Sequence, residues 1–158
     1  LWKKKHLKTI QMSYSKAPFW KEYESDIVNF FKSDTVYLDI YNKKFISYII
    51  NLLGINTKIV FSSSLKSKGS SSDLILNICK EVNAKKYICG YGAENYLDFK
   101  EFATDNVEIG FLHSKNPIYK QFHGDFIPDL SILDMLMNVD RDNIKEYLLE
   151  EVTIESRI

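Results

Sequence analysis

Hydroxyl and ammonium side chains are concentrated in one short segment, the loop SSSLKSKGSSS at residues 62–72. Ser62, Ser63 and Lys66 lie in this Ser/Lys loop, which runs directly into a helical pattern that begins near Ser71. Hydroxyls, ammonium groups and the free amides of a helix N-terminus are the parts of a phosphate-binding cradle. The loop is not a P-loop, because the G-x-x-x-x-G-K-S/T pattern is absent. The same composition also fits a solvated loop that only caps the helix, so both interpretations stay open.

A glycine-rich turn supplies a second set of candidates. Gly90 and Gly92 flank a single tyrosine immediately after the apolar run 87–89. Glycine adopts positive φ without strain and lets a ligand approach the backbone. Tyr96 follows shortly afterwards, with a ring that can stack on a ligand or pack within the fold. We therefore name Gly90, Gly92 and Tyr96 as candidate ligand contacts, although an ordinary tight turn explains the same pattern.

Three side chains are candidates for acid–base catalysis. His113 ends an apolar run that predicts a strand, and Asp134 lies on a half-apolar helical pattern where a carboxylate must be paired or functional. His6 lies in a basic run at residues 3–8 that can meet a phosphate or form a solvated helix face. Spacing alone assigns neither a Ser-His-Asp triad nor a pair of carboxylates. Local hydrogen bonding is the alternative role for Asp134.

The elements that must position these side chains follow from hydrophobic periodicity. Helices are predicted at 2–15, 19–31, 36–53, 71–82, 95–102, 131–137 and 142–150, and strands at 58–61, 87–89 and 107–112. The order from 58 to 89 predicts a parallel βαβ unit, which places the Ser/Lys loop and the turn at Gly90 on the edge where ligands bind. The predicted fold class is α/β, with a mostly parallel sheet flanked by helices in three layers. Because three helices precede the first strand, we expect the N-terminal strands of the sheet to be missing.

Composition bounds the class of protein. The 158 residues are expected to form one domain, residues 1–158, and a hydrophobic content of 45% favours a folded globule. Basic and acidic residues number 21 each, which gives no global attraction to nucleic acid or an anionic membrane. No apolar run approaches the roughly 18 residues of a membrane-spanning helix. Because the chain opens on Leu1 rather than Met, we expect a piece of a longer protein.

The cysteines indicate a reducing environment. Cys79 and Cys89 are the two cysteines of the chain, and both fall on apolar patterns as buried thiols do. This favours a cytoplasmic location. The chain has no CxxC motif and no Cys/His cluster, which argues against a structural zinc site, so we predict no metal.

Several blocks of sequence together resemble the WbqC-like family of bacterial proteins, found in gene clusters for surface polysaccharides. These blocks are WKKKHLKTI, YSKAPFWKEY, GINTKIVFSSS, LNICKEVNAKKYICGYGAENYLD and NPIYKQFHGDFIPDLSILDMLMN. They cover nearly all of the chain, and the last block is the most specific. Family members usually begin with a strand and a histidine-containing motif, so the resemblance implies that this chain is the C-terminal portion of the family domain. Asn116 stands where the family often has a histidine, with His113 three residues earlier.

The resemblance implies a cytoplasmic transferase that moves an acyl or aminoacyl group to a nucleotide-linked amino sugar, in the biosynthesis of O-antigen, lipopolysaccharide or another surface glycan. In that role the Ser/Lys loop and the turn after Gly90 would hold phosphates. Tyr96 or Tyr119 would stack on a ring, and Gln121 with Asp134 would orient the acceptor. No cofactor is required, and the partner is a nucleotide-sugar or another phosphorylated small molecule.

Two other functions remain open on the sequence alone. The first is a non-catalytic binding or scaffolding module of a polysaccharide assembly pathway. The second is nucleic-acid binding through the basic run at residues 3–8, which the neutral net charge disfavours except for a tRNA-bound donor.

Overall fold

The computed structural model describes residues 2–149 and 152–157, which contain both helices and strands. The helices are α1 (Trp2–Tyr14), α2 (Trp20–Lys32), α3 (Leu38–Leu52), α4 (Ser71–Glu81), α5 (Phe99–Thr104), α6 (Ile132–Asn138) and α7 (Arg141–Leu149). The strands are β1 (Lys86–Cys89), β2 (Glu108–His113) and β3 (Thr153–Ser156). Short 3₁₀ turns occur at Ser62–Ser64 and Tyr91–Asn95. The protein is therefore α/β, as predicted. No helix of these residues is both long and apolar enough to cross a membrane.

The chain forms two compact units. The helical unit consists of residues 2–57 and 116–149, and the strand unit consists of residues 58–115 and 152–157. The expectation of one domain stays a prediction, and so does the three-layer arrangement.

The helical unit contains α1, α2, α3, α6 and α7 around one hydrophobic core. Trp20 and Ile144 are fully buried in this core, and Leu7 and Ile10 of α1 pack against it at helical spacing. Helix α3 ends where Gly54 adopts a left-handed conformation with φ of 58°, which glycine tolerates without a Cβ penalty. This end lies within one residue of the end of the helix predicted at 36–53.

The strand unit contains α4, α5 and a three-stranded sheet in the order β1-β2-β3. Strands β1 and β2 are parallel, with Lys86 opposite Glu108, and α5 is the crossover between them. The carboxylate of Asp98 begins α5 by accepting hydrogen bonds from two amides of its first turn. Strand β3 is antiparallel to β2, with Gly110 opposite Ser156. Phe102 and Phe111 are fully buried in the core of this unit.

Two predictions about the sheet are wrong. Residues 58–61 form no strand, and the apolar side chains of Ile59, Val60 and Phe61 are 42–43% exposed. An extended segment becomes a strand only when a neighbouring strand accepts its hydrogen bonds, and apolar sequence alone does not supply that neighbour. The parallel crossover therefore lies one element later, at β1-α5-β2. The sheet is mixed rather than mostly parallel, because the C-terminal tail adds the antiparallel strand β3.

The close approach of β3 to Gly110 predicts a stability effect. A Cβ at Gly110 would lie 2.7 Å from Cγ2 of Ile154, well inside van der Waals contact. We expect Gly110→Ala to lower the free energy of unfolding by about 1–3 kcal/mol, measured by denaturant titration. Combining it with Ile154→Ala should restore part of the loss, because the clashing methyl group is removed.

The control for this experiment is Gly90→Ala, since a Cβ there meets nothing within 4 Å and the backbone φ is −84°. We expect that variant to stay within about 0.5 kcal/mol of the parent. Equal stability of the Gly110→Ala variant and the parent would contradict the placement of β3 beside β2.

Candidate functional site

The ends of β1 and β2 bring a tyrosine and a histidine together at one edge of the sheet. Parallel strands end at the same edge, and here Cys89 lies opposite Phe111. The turn that follows β1 carries Tyr91, and the last residue of β2 is His113. The register of β3 places Glu155 opposite Phe111 and Thr153 opposite His113, so Glu155 is the diagonal neighbour of His113 on the same face.

Tyr91, His113 and Glu155 form a hydrogen-bonded cluster. The Tyr91 hydroxyl donates to Oε2 of Glu155 at 2.9 Å, and Nε2 of His113 lies 3.1 Å from the same oxygen. The Tyr91 hydroxyl also contacts Nε2 of His113. The Tyr91 ring stacks on Phe111, with centroids 5.2 Å apart and planes 20° apart, which fixes its hydroxyl over the histidine.

The bonding pattern sets the chemistry of the histidine. A carboxylate only accepts hydrogen bonds, so Nε2 of His113 carries the proton that faces Glu155. The neutral ring then keeps a lone pair on Nδ1, which lies 3.2 Å from the Tyr91 hydroxyl oxygen, and this nitrogen can accept a proton. The His113 side chain is 45% exposed, so a ligand can reach it from solvent. The arrangement is that of a general base oriented by a carboxylate.

Arg157 holds the other side of the same carboxylate. Its Nε donates to Oε1 of Glu155 at 3.0 Å, and its NH1 group contacts Glu94. Its guanidinium lies 5.0 Å from the centroid of the Phe111 ring. Both oxygens of Glu155 are therefore engaged, which limits the rotation of this carboxylate beside His113.

The cluster faces an open cleft of about 750 Å³. Besides the cluster, the cleft is lined by the polar residues Ser114, Lys115 and Thr153 and by the apolar residues Leu112 and Ile154. Hydroxyl and ammonium groups bind sugar hydroxyls and phosphate oxygens, so the three polar residues can hold the polar part of a ligand.

The Ser/Lys loop already binds an anion, and that anion is a side chain of this chain. The amides of Lys66 and Ser67 donate to the Glu81 carboxylate at 2.8 and 2.7 Å, and the Ser67 hydroxyl also contacts it. These bonds hold the pKa of the Glu81 carboxyl below its usual range, and the bond from the Ser67 hydroxyl has the largest effect. The predicted candidates Ser62 and Ser63 lie in an exposed 3₁₀ turn just before these amides. A phosphate that used the Lys66 amide would have to displace Glu81.

The backbone conformation of the turn does not require glycine at position 90 or 92. Gly90 has an ordinary negative φ, and a Cβ at Gly90 or Gly92 would meet nothing within 4 Å. Their contribution is open space beside Tyr91. The candidate ring of Tyr96 is 47% exposed, so it is accessible to a ligand.

Asp134 lies in the helical unit, where three donors enclose it. The hydroxyls of Tyr14 and Tyr119 donate to its two oxygens at 2.9 and 2.8 Å, and Nε2 of Gln121 donates at 3.1 Å. Gln121 also bonds the main chain of Ile127 through both ends of its amide. Asp134 is only 4% exposed. This geometry favours a structural role, because the carboxylate joins α1 and the loop that contains Tyr119 and Gln121 to α6. A substrate would have little access to this buried carboxylate.

His6 is an exposed residue of α1 in the helical unit, with its ring edge-on to Trp2 at 5.5 Å between centroids. The neighbouring basic run is partly structural. Lys3 donates to the carbonyl of Thr35 at 2.7 Å and also contacts the carbonyl of Ser33. One ammonium group of that run therefore joins α1 to the segment before α3 and is not directed at a partner.

Two members of the cluster, Tyr91 and Glu155, were not predicted from the sequence. Tyr91 lies between the candidate residues Gly90 and Gly92, and its position directly after a predicted strand could have identified it as a site residue. Glu155 had only a weak signal, because the alternation of Val152 and Ile154 just before it is too short to predict the exposed strand β3. Among residues 2–149 and 152–157, no three His, Cys, Asp or Glu side chains are placed to hold a metal ion.

Truncation of Asp134 should destabilise the fold. Asp134→Ala leaves Tyr14, Tyr119 and Gln121 without their acceptor, and we expect the free energy of unfolding to fall by about 2–4 kcal/mol in denaturant titrations. The matched control is Asp125→Ala, which removes an exposed carboxylate. A loss no larger than that of the control would show that the enclosed carboxylate contributes little.

Stability should also fall at alkaline pH through Tyr119. Burial, followed by the hydrogen bond to Asp134, raises the pKa of Tyr119 from 10.0 to about 12. The neutral phenol is thus favoured in the folded state, so its stabilisation is complete below pH 10 and is lost as the pH rises towards 12. We expect the unfolding free energy of Tyr119→Phe to fall less steeply than that of the parent across this window. Equal slopes would contradict the role of this phenol.

Comparison with known proteins assigns the chain to a family. A profile of the WbqC-like protein family matches residues 1–146. A relative in Mycobacterium tuberculosis (strain ATCC 25618 / H37Rv), named Uncharacterized protein Rv1507c, is 27% identical over 140 residues, which is 87% of this chain and 61% of that protein. The chain thus spans about three fifths of the length of this relative. No solved structure matches the chain. Because the profile covers nearly all of the sequence, the chain belongs to the WbqC-like protein family.

Proposed function

We propose that this protein transfers an acyl or aminoacyl group to the amine of a nucleotide-linked amino sugar, in the cytoplasmic biosynthesis of a bacterial surface glycan such as O-antigen or lipopolysaccharide. The observation that carries the proposal is the cluster of Tyr91, His113 and Glu155, which presents an oriented histidine to an open cleft. The pathway in this proposal is inferred from the sequence resemblance, and the role of a general base is inferred from the cluster.

The transfer requires one base. The sugar amine attacks the carbonyl carbon of an activated donor, and the new C–N bond forms as the bond from that carbon to the leaving group breaks. Nδ1 of His113 accepts the proton that the attacking nitrogen loses, and the leaving group departs with the bonding electron pair and takes up that proton. Glu155 stabilises the imidazolium that exists between these two steps, because its oxygen lies 3.1 Å from Nε2.

The surrounding groups suit the substrate. Lys115 and the hydroxyls of Ser114 and Thr153 line the cleft and would bind the sugar and its phosphates. Tyr96 is exposed and would stack on the nucleotide base. The donor carries its acyl group on a coenzyme or on a tRNA, and the protein itself needs no cofactor for the step.

The test measures ligand binding and product formation with the full-length protein. UDP-glucosamine is the acceptor probe, with UDP and free glucosamine as controls, and acetyl-coenzyme A and aminoacyl-tRNA are the donor probes. We expect UDP-glucosamine to raise the melting temperature more than either fragment does. Mass spectrometry should detect acylated UDP-glucosamine with one of the donors. His113→Asn should lower the rate by about 100-fold or more, and Glu155→Gln by a smaller factor.

The matched control is His123→Asn, which changes a histidine of the helical unit that bonds the carbonyl of Ser13. It should keep the parental rate. If none of these donors yields product and no nucleotide-sugar shifts the melting temperature, the proposal is wrong. A transferase whose rate survives His113→Asn would place the base elsewhere.

A non-catalytic binding module is the second candidate, and one observation favours it. Val36, Tyr37 and Leu38 form a consecutive apolar run that is 64–85% exposed. Exposed apolar groups of this kind are typical of surfaces that bind a partner. In cells that need this protein for glycan production, this function predicts that Val36→Ser with Leu38→Ser abolishes the glycan while His113→Asn does not. The transferase function predicts the reverse.

A further inference from the structure

The helical unit contains a cavity of about 420 Å³ between α2 and α3, closed at one side by residues at the start of α6. This volume lies in the range of small-molecule sites. The cavity shares no residue with the cluster of Tyr91, His113 and Glu155. It therefore needs an explanation beyond the proposed transfer.

The walls of the cavity are apolar and mostly aromatic. The ring of Phe30 lies 4.2 Å from that of Tyr41 and 5.2 Å from that of Phe45, measured between centroids. Ile27 and Tyr41, which are both buried, also line the cavity. Such walls bind an apolar body of ligand, and their ring faces also attract a cation.

Asp26 provides the charge at the mouth of the cavity. Among the lining residues it is the sole charged side chain. Its Oδ2 accepts a hydrogen bond from the Tyr48 hydroxyl at 2.9 Å, and burial raises the pKa of Tyr48, which keeps that hydroxyl protonated. Its Oδ1 accepts no hydrogen bond from the described residues of the chain. One carboxylate oxygen is thus held in place and the other is available.

Two carboxamides extend this acceptor set. Asn29 follows Asp26 by three positions on α2, so the two side chains share one helix face. Asn42 lines the same cavity from α3. Neither side chain hydrogen-bonds another residue within 2–149 or 152–157. Their carbonyl oxygens, with Oδ1 of Asp26, amount to three acceptors around the mouth of an apolar cavity.

We propose that this cavity binds a primary ammonium group carried on an apolar or aromatic body. An ammonium group has three N–H donors, which matches the acceptors of Asp26, Asn29 and Asn42. The body of the ligand lies against Phe30 and Phe45. An anionic ligand is disfavoured because it would meet the charge of Asp26 without a cation in the lining. The site is separate from the acyl-transfer site and stands whether or not that transfer occurs.

The test is a titration of the full chain with 2-phenylethylamine, followed by calorimetry and by NMR. 2-Phenylethanol and 3-phenylpropanoate have similar shapes and carry a hydroxyl and a carboxylate in place of the ammonium group. We expect the amine to bind at least about tenfold more tightly than either analogue, and the difference to shrink at high salt. Ring protons of the ligand should give NOEs to Phe30 and Phe45.

Asp26→Asn should weaken binding of the amine by about tenfold and leave binding of 2-phenylethanol unchanged. The matched control is Asp39→Asn on α3, which removes an exposed carboxylate paired with Lys43 and should have no effect. If Asp26→Asn fails to fold, the NOEs and the ranking of the three ligands on the parent protein still decide. Equal affinity for amine and alcohol, tighter binding of the carboxylate, or NOEs to other residues would each overturn the proposal.

Discussion

The pairing of β2 with both of its neighbours is the constraint on which the candidate site depends. The parallel bond pattern with β1 brings the turn at Tyr91 to the edge where His113 ends its strand. The antiparallel pattern with β3 sets Glu155 diagonal to that histidine. Because side chains alternate between faces along a strand, a slip of β3 by one residue would turn Glu155 to the opposite face. The close approach of Ile154 to Gly110 opposes such a slip.

The stability of the helical unit depends on a different constraint. One buried carboxylate, Asp134, must receive hydrogen bonds from the protein in place of water. Asp134 has lost nearly all contact with water, and its three donors replace that water with hydrogen bonds from α1 and from the loop that contains Tyr119 and Gln121. A buried carboxylate with fewer partners would destabilise the fold. Three residues of the block that most specifically resembles the family, Tyr119, Gln121 and Asp134, therefore have an architectural explanation.

The sequence predicted elements whose cause is local and missed those whose cause is a distant partner. Six of the seven α-helices of the described residues begin and end near the predicted positions, because apolar spacing and residues such as Gly54 determine them locally. Residues 59–61 are apolar but form no strand, and the apolar alternation of the tail, Val152 and Ile154, is too short to predict one, so one predicted strand is absent and β3 was not foreseen. His113 was recognisable as a candidate at a strand end. Glu155 was not, since only the register of β3 brings it there.

The Glu81 carboxylate, seated on the amides of Lys66 and Ser67, is a tethered competitor for the Ser/Lys loop. A tethered group is present at an effective concentration in the millimolar range or above, so a free monoanion at lower concentration cannot replace it. A phosphate ester gains an advantage only through its second negative charge and its additional oxygens. Any ligand that binds this loop through the Lys66 and Ser67 amides therefore has to make more contacts, or carry more charge, than the single carboxylate that it replaces.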